Sequence, residues 1–114
     1  MGRMIELAAA DGFMLAAYRA DPVGGPRGGL VVAQEIFGVN SHIRSVCDGF
    51  AADGYVAIAP ALFDRYERGL DIGYTPDDIA RGRELKGRAQ IDAAMRDVAV
   101  ARDAVASAGK VAVI

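Results

Sequence analysis

The chain has 114 residues and a net charge of −2, enough for one small domain and without the basic excess that favours nucleic acid or an anionic membrane surface as a partner. Hydrophobic residues make up 53% and charged residues 25%, a globular balance and not a disordered one. No apolar run approaches the roughly 18 residues of a membrane span, Met1-Gly2-Arg3 leads directly into a strand-like segment, and the single cysteine leaves no internal disulfide or zinc-ligand cluster, so a cytoplasmic protein without metal or other cofactor is expected.

The first segment, MIELAAADGFMLAAYRA, reads as two apolar strands joined at Asp11-Gly12, a dipeptide suited to the positive φ angles of a tight turn. An antiparallel hairpin is therefore expected at the start. The glycine- and proline-rich DPVGGPRGG, Asp21 to Gly29, is the clearest loop, and GLVVAQ after it suits a strand buried on both faces. In NSHIRSVCDGFAADG, Ile43, Val46/Cys47 and Phe50 recur at helical spacing. Asn40 or Ser41 can cap that helix and Gly54 can close it. YVAIAP then reads as a second buried strand, and strand-helix-strand order calls for a parallel crossover.

Residues 61–74, ALFDRYERGLDIGY, have mixed polarity and read as an excursion loop. At TPDD, Thr75 can cap a helix, Pro76 fits its first position, and Asp77 and Asp78 favour the positive end of its dipole. A charged helix through IARGRELKGR is expected to break at Gly82 or Gly87. A long amphipathic helix then follows to Gly109, with Ile91, Ala94/Met95, Val98, Ala101 and Val105 along its buried face. KVAVI opens a third parallel strand, at whose carboxyl end an open α/β sheet places its ligands. Alternating strands and helices after a hairpin define an α/β fold, and the expectation is the N-terminal part of one larger domain, without internal boundary.

The run Val31 to Arg65 closely resembles the dienelactone hydrolase family of the α/β-hydrolase fold, most specifically in Gln34-Glu35-Ile36-Phe37-Gly38, Gly54-Tyr55 and Pro60-x-Leu62-Phe63. GKVAVI looks like the strand that leads to that family's nucleophile elbow. The resemblance implies an α/β-hydrolase sheet and a carboxymethylenebutenolidase-like enzyme that cleaves a lactone or small ester through an acyl-enzyme. The elbow cysteine or serine, the aspartate and the histidine are expected beyond Ile114, so the segment alone is expected to be inactive. The other reading is a non-catalytic α/β module that self-associates through its open sheet edge.

The resemblance also implies site residues. Glu35 matches a glutamate that sits beside the nucleophile at the end of the sheet and exchanges partners with its thiol; a carboxylate so placed can accept or hold the thiol's proton. A buried strand end is expected for it, with Gln34 as a supporting hydrogen-bond residue. Ile36 matches the position whose backbone N–H helps to build the oxyanion hole. Family members that act on carboxylated lactones hold the carboxylate with arginines, and Arg81 and Arg83 are the candidates; a guanidinium suits it because it donates two parallel hydrogen bonds. Phe37 and His42 are further candidates for substrate contact, though a role at the start of its helix is favoured for His42. Cys47, on the apolar stripe with Ile43 and Phe50, is expected in the core and not as nucleophile.

Overall fold

The computed structural model describes residues 2–114. Five strands, β1 (Gly2–Ala8), β2 (Met14–Ala20), β3 (Gly29–Val31), β4 (Val56–Pro60) and β5 (Val111–Val113), form one sheet in the order β1-β2-β4-β3-β5. β1 and β2 are an antiparallel hairpin, β2 runs antiparallel to β4, and β3 lies parallel to both β4 and β5. Three helices accompany them: α1 (Ser41–Ala52), α2 (Pro76–Arg88) and α3 (Ile91–Val105). The expected α/β fold is the one observed.

Strand periodicity divides the core between two layers. Along β4, Ala57 and Ala59 face α1 with Tyr18, Ala20, Ile43 and Cys47, whereas Val56 and Ile58 face α3 with Leu15, Ala17, Ala101 and Val105. All five β4 residues are buried, as a central strand covered on both faces requires.

Several boundaries differ from expectation. The hairpin connection spans residues 9–13 and carries a positive φ only at Gly12, because the Asp11 side chain closes the turn by accepting from the Phe13 N–H at 3.3 Å. α2 breaks at neither Gly82 nor Gly87 and continues to Arg88. α3 ends at Val105 and passes into a short 3-10 turn, Ala106–Ala108, before Gly109. Its buried positions are Ala93, Asp97, Ala101 and Val105, while Ile91 and Met95 are exposed. The helix is turned relative to the apolar pattern because Asp97 must face inward.

Its partner is Arg65, whose Nη2 and Nε donate to Asp97 at 2.8 and 3.0 Å, and whose Nη1 and Nη2 donate to Asp11 at 2.7 and 3.1 Å. The guanidinium also lies 4.6 Å from the centre of the Phe13 ring. One half-buried arginine thus ties together the hairpin turn, residues 61–74 and α3. Next to it, the buried Asp64 carboxylate accepts from the backbone N–H groups of Ala16 and Gly69, both at 2.9 Å. The excursion segment is consequently a set of pinned turns, with a small core of Phe63 and Leu70 that it shares with Leu85 of α2.

Candidate active site

Past the end of β3 the ladder continues for two residues: the Val32 N–H donates to Ile58 and the Ala33 N–H to Ile114, while the Ile114 N–H donates to Val31 at 2.9 Å. This register sets Glu35 two residues beyond the β3–β5 pairing, at the carboxyl end of the parallel strands. Residues 35–38 then make a turn closed by the Gly38 N–H on the Glu35 carbonyl at 3.2 Å. Gly38 has φ +85°, and a Cβ there would stand 1.9 Å from the Leu70 carbonyl oxygen, so only glycine allows the turn to lie against the excursion segment. The Phe37 carbonyl accepts from the Ile72 N–H on the same side.

The Ile36 N–H donates to no backbone carbonyl among the described residues. Gln34 braces the turn from below: its Oε1 accepts from the Leu62 N–H at 2.8 Å and its Nε2 donates to the Glu35 carbonyl at 3.0 Å. The expected supporting role of Gln34 therefore has a geometry. The expected burial of Glu35 does not: its side chain is exposed, because the turn carries it past the last covered position of β3, and it joins no ion pair among the described residues.

α2 covers the turn from the other side. Thr75 caps it by accepting from the Asp78 N–H at 3.1 Å, and Pro76 occupies its first turn. A Cβ on Gly82 would lie 2.4 Å from the Ile36 carbonyl oxygen; the glycine read from sequence as a break is the point where helix and turn touch. Between them lies a cleft of about 440 Å³ lined by Gln34, Glu35, Ile36, Phe37, Leu62, Phe63 and Lys86.

The structure therefore brings Glu35, Ile36 and Phe37 into one cleft and leaves other candidates outside it. Arg81 pairs with Glu67. Arg83 is exposed and, like Arg81, is not among the lining residues. His42 is exposed in the first turn of α1. That helix is capped by Asn40, whose Oδ1 accepts from the Ile43 N–H at 3.1 Å and whose Nδ2 donates to the Tyr74 hydroxyl at 3.1 Å. The Tyr74 ring stands edge-on to Phe37, 4.5 Å between centroids, and so supports the cleft's aromatic wall. Cys47 is fully buried, and burial, aided by the neighbouring Asp48 charge, pushes its thiol up to about 12, which leaves no thiolate for chemistry near neutral pH. Two lining features escaped the sequence reading, the cation Lys86 and the floor formed by Leu62 and Phe63. The i, i+4 spacing from Gly82 to Lys86 was the available signal.

A family model described as the dienelactone hydrolase family matches residues 15–114. A protein of Synechocystis sp., provisionally named a carboxymethylenebutenolidase, is 53% identical over 73 residues, which is 63% of this chain and 30% of that protein. One of Azospirillum brasilense with the same name is 52% identical over 69 residues, 60% of this chain and 30% of its own. Among solved structures, a provisionally assigned dienelactone hydrolase from Klebsiella pneumoniae superposes with a TM-score of 0.77 at 28% identity, covering 99% of this chain and 49% of that one. The chain thus spans about half the length of that solved relative.

Proposed function

The chain belongs to the dienelactone hydrolase family, and from that premise we propose that it supplies one wall of the reactive site of an enzyme that hydrolyses a small lactone or ester through an acyl-enzyme. The observation that carries this reading is the register of β3 and β5. Ile114 is hydrogen-bonded to Val31 and Ala33, so an elbow that follows Ile114 emerges beside Glu35.

The chemistry follows from that placement. A cysteine or serine on the elbow passes its proton to a neighbouring base, and Glu35 is that base or holds the nucleophile in its resting orientation before the transfer. The nucleophile attacks the carbonyl carbon and the carbonyl oxygen becomes an oxyanion that accepts from the Ile36 N–H. Collapse breaks the carbon–oxygen bond to the alcohol, which takes up a proton and, in a lactone, stays attached as a hydroxyl. Water activated by a histidine on the elbow's side then attacks the acyl group, releasing the acid and the free nucleophile. Phe37, Leu62 and Phe63 give the ring or chain of the substrate an apolar wall.

The test is a mass measurement on a polypeptide that carries the elbow, quenched during turnover of p-nitrophenyl acetate. A single acetyl group on the elbow residue and none on Cys47 is expected, with no turnover by residues 1–114 alone. Acetylation of Cys47, or turnover by that segment, overturns the assignment. One observation favours the other reading, a module that self-associates: β5 forms the sheet edge and Val113 and Ile114 are both exposed. Sedimentation of the 114-residue chain decides it, since a monomer at all concentrations removes that reading.

A further inference from the structure

The Ile36 N–H and the Glu35 carbonyl belong to one peptide group, and that peptide is trans. A trans peptide is planar, with its N–H and C=O pointing in opposite directions, so whatever holds the carbonyl also aims the N–H. Two donors hold it: the Gly38 N–H at 3.2 Å and the Gln34 Nε2 at 3.0 Å. A carbonyl oxygen has two lone pairs, and both are thereby engaged. The Gln34 amide is itself locked, because its Oε1 accepts from the Leu62 N–H at 2.8 Å, just past the end of β4. Turned over, the amide would set oxygen against the Glu35 carbonyl and N–H against N–H, so the Leu62 donor ensures that the nitrogen faces Glu35. The Gly38 donor is placed independently, by close packing against the Leu70 carbonyl.

We propose that Gln34 is a positioning residue of the ester site: it fixes the direction of the Ile36 N–H and strengthens it as a donor, and so acts on the oxyanion through the peptide group and not by touching it. The proposal rests on the reading of that N–H as the oxyanion donor. A bond donated to a peptide carbonyl draws electron density towards the oxygen and leaves the N–H more positive, a reinforcement of about 10–30% per bond. Direction matters more, since a hydrogen bond weakens steeply when its angle falls below about 120°. Without Gln34 only the Gly38 bond, the longer of the two, restrains the peptide, and the donor must be aimed anew in each turnover. A glutamate at this position would accept from Leu62 equally well but, when charged, has no proton to give to the Glu35 carbonyl. The place calls for one acceptor and one donor in a single side chain, which an amide provides without titrating.

The test compares hydrolysis of p-nitrophenyl acetate and p-nitrophenyl thionoacetate by a polypeptide that carries the elbow, because sulfur in place of the carbonyl oxygen is a weak hydrogen-bond acceptor and makes the reaction insensitive to the donor. The wild-type chain is expected to prefer the oxygen ester. Gln34→Met lowers kcat for that ester by about tenfold, short of the roughly hundredfold that outright loss of an oxyanion donor costs, with KM little changed and the thionoester rate nearly unaltered. Gln34→Glu, which keeps the Leu62 bond and serves if Gln34→Met does not fold, is expected to lose the preference at about pH 8 and to regain it towards about pH 4, where the protonated carboxyl has a donor again; the wild-type preference does not follow pH in this way. Equal losses on the two esters in Gln34→Met, or a Gln34→Glu preference that does not change with pH, overturn the role of Gln34 while the reading of Ile36 stands. If the wild-type chain does not prefer the oxygen ester, the Ile36 N–H is not the oxyanion donor and both readings fall.

Discussion

At the carboxyl end of β4, two sets of charges begin within three residues of each other and are treated in opposite ways. Arg65 is enclosed and saturated: Asp97, with no exposed surface, and Asp11 share its guanidinium, and the Phe13 ring covers it. Phe63, two residues earlier, lines a cleft in which Glu35 and Lys86 are open and in no ion pair among the described residues. The first arrangement offers little to a ligand because each of the three guanidinium nitrogens already donates to a carboxylate. The second leaves a carboxylate, an ammonium and a backbone N–H without partners among the described residues, which costs little in water and is what the proposed chemistry needs.

Breaking the saturated set should have the largest effect. Asp97→Ala removes the fully buried carboxylate and leaves the half-buried guanidinium only Asp11 as a partner, and is expected to lower unfolding free energy by about 3 kcal/mol, read from urea denaturation. Replacing Arg65 and Asp97 together by Met and Leu should recover most of that loss, since the uncompensated charge is then gone. If Asp97→Ala leaves the midpoint in place, the two sets are not different in kind.

A smaller effect is expected where the two regions are joined. Gly82→Ala improves helix propensity by about 1 kcal/mol, but its Cβ would stand 2.4 Å from the Ile36 carbonyl oxygen, and overpacking of that sort costs about 1–3 kcal/mol. The net should be destabilising, and the Ile36 and Phe37 amide resonances should move as α2 is pushed from the turn. A stabilised protein with unmoved resonances would mean that α2 does not set the cleft's width.

The smallest effect concerns Asp11 at the edge of the saturated set. Hydrogen bonds from Arg65 hold its carboxyl down to about 2, against an ordinary value of 3.8. A carboxyl whose folded value is depressed contributes stability that is fully present above the ordinary value and disappears as pH falls through the folded one. The clamp should therefore persist to about pH 2, and the Asp11 carboxyl carbon should titrate with a midpoint near that value; a midpoint at 3.8 would show that Arg65 does not hold it.

The same contrast explains what could be read from sequence. Strands, helices and their order were legible because apolar period and capping are local: Thr75 and Pro76 announce α2, and Asn40 caps α1 as its position suggests. The inward turn of α3 was not, since Asp97 owes its burial to Arg65, 32 residues away, and an aspartate on a helix ordinarily reads as solvent-facing. Gly82 misled for the same reason. Its cause is the close approach of Ile36 from another element, which no pattern within α2 contains. At the site, Gln34 to Gly38 were legible as a motif but the turn they make and the exposure of Glu35 were not, and Lys86 and the floor from Leu62 and Phe63 required the excursion segment and α2 to be folded against it.

The central claim is that the open charges act and the saturated ones hold. Its most direct test is Glu35→Gln in a polypeptide that carries the elbow, with ester hydrolysis and urea denaturation measured on the same preparation. The account predicts that kcat falls by about tenfold or more, within the range of a lost general-base contribution, while stability stays within about 0.5 kcal/mol, as for an exposed side chain. An unchanged kcat, with thiol reactivity also unchanged, would contradict it.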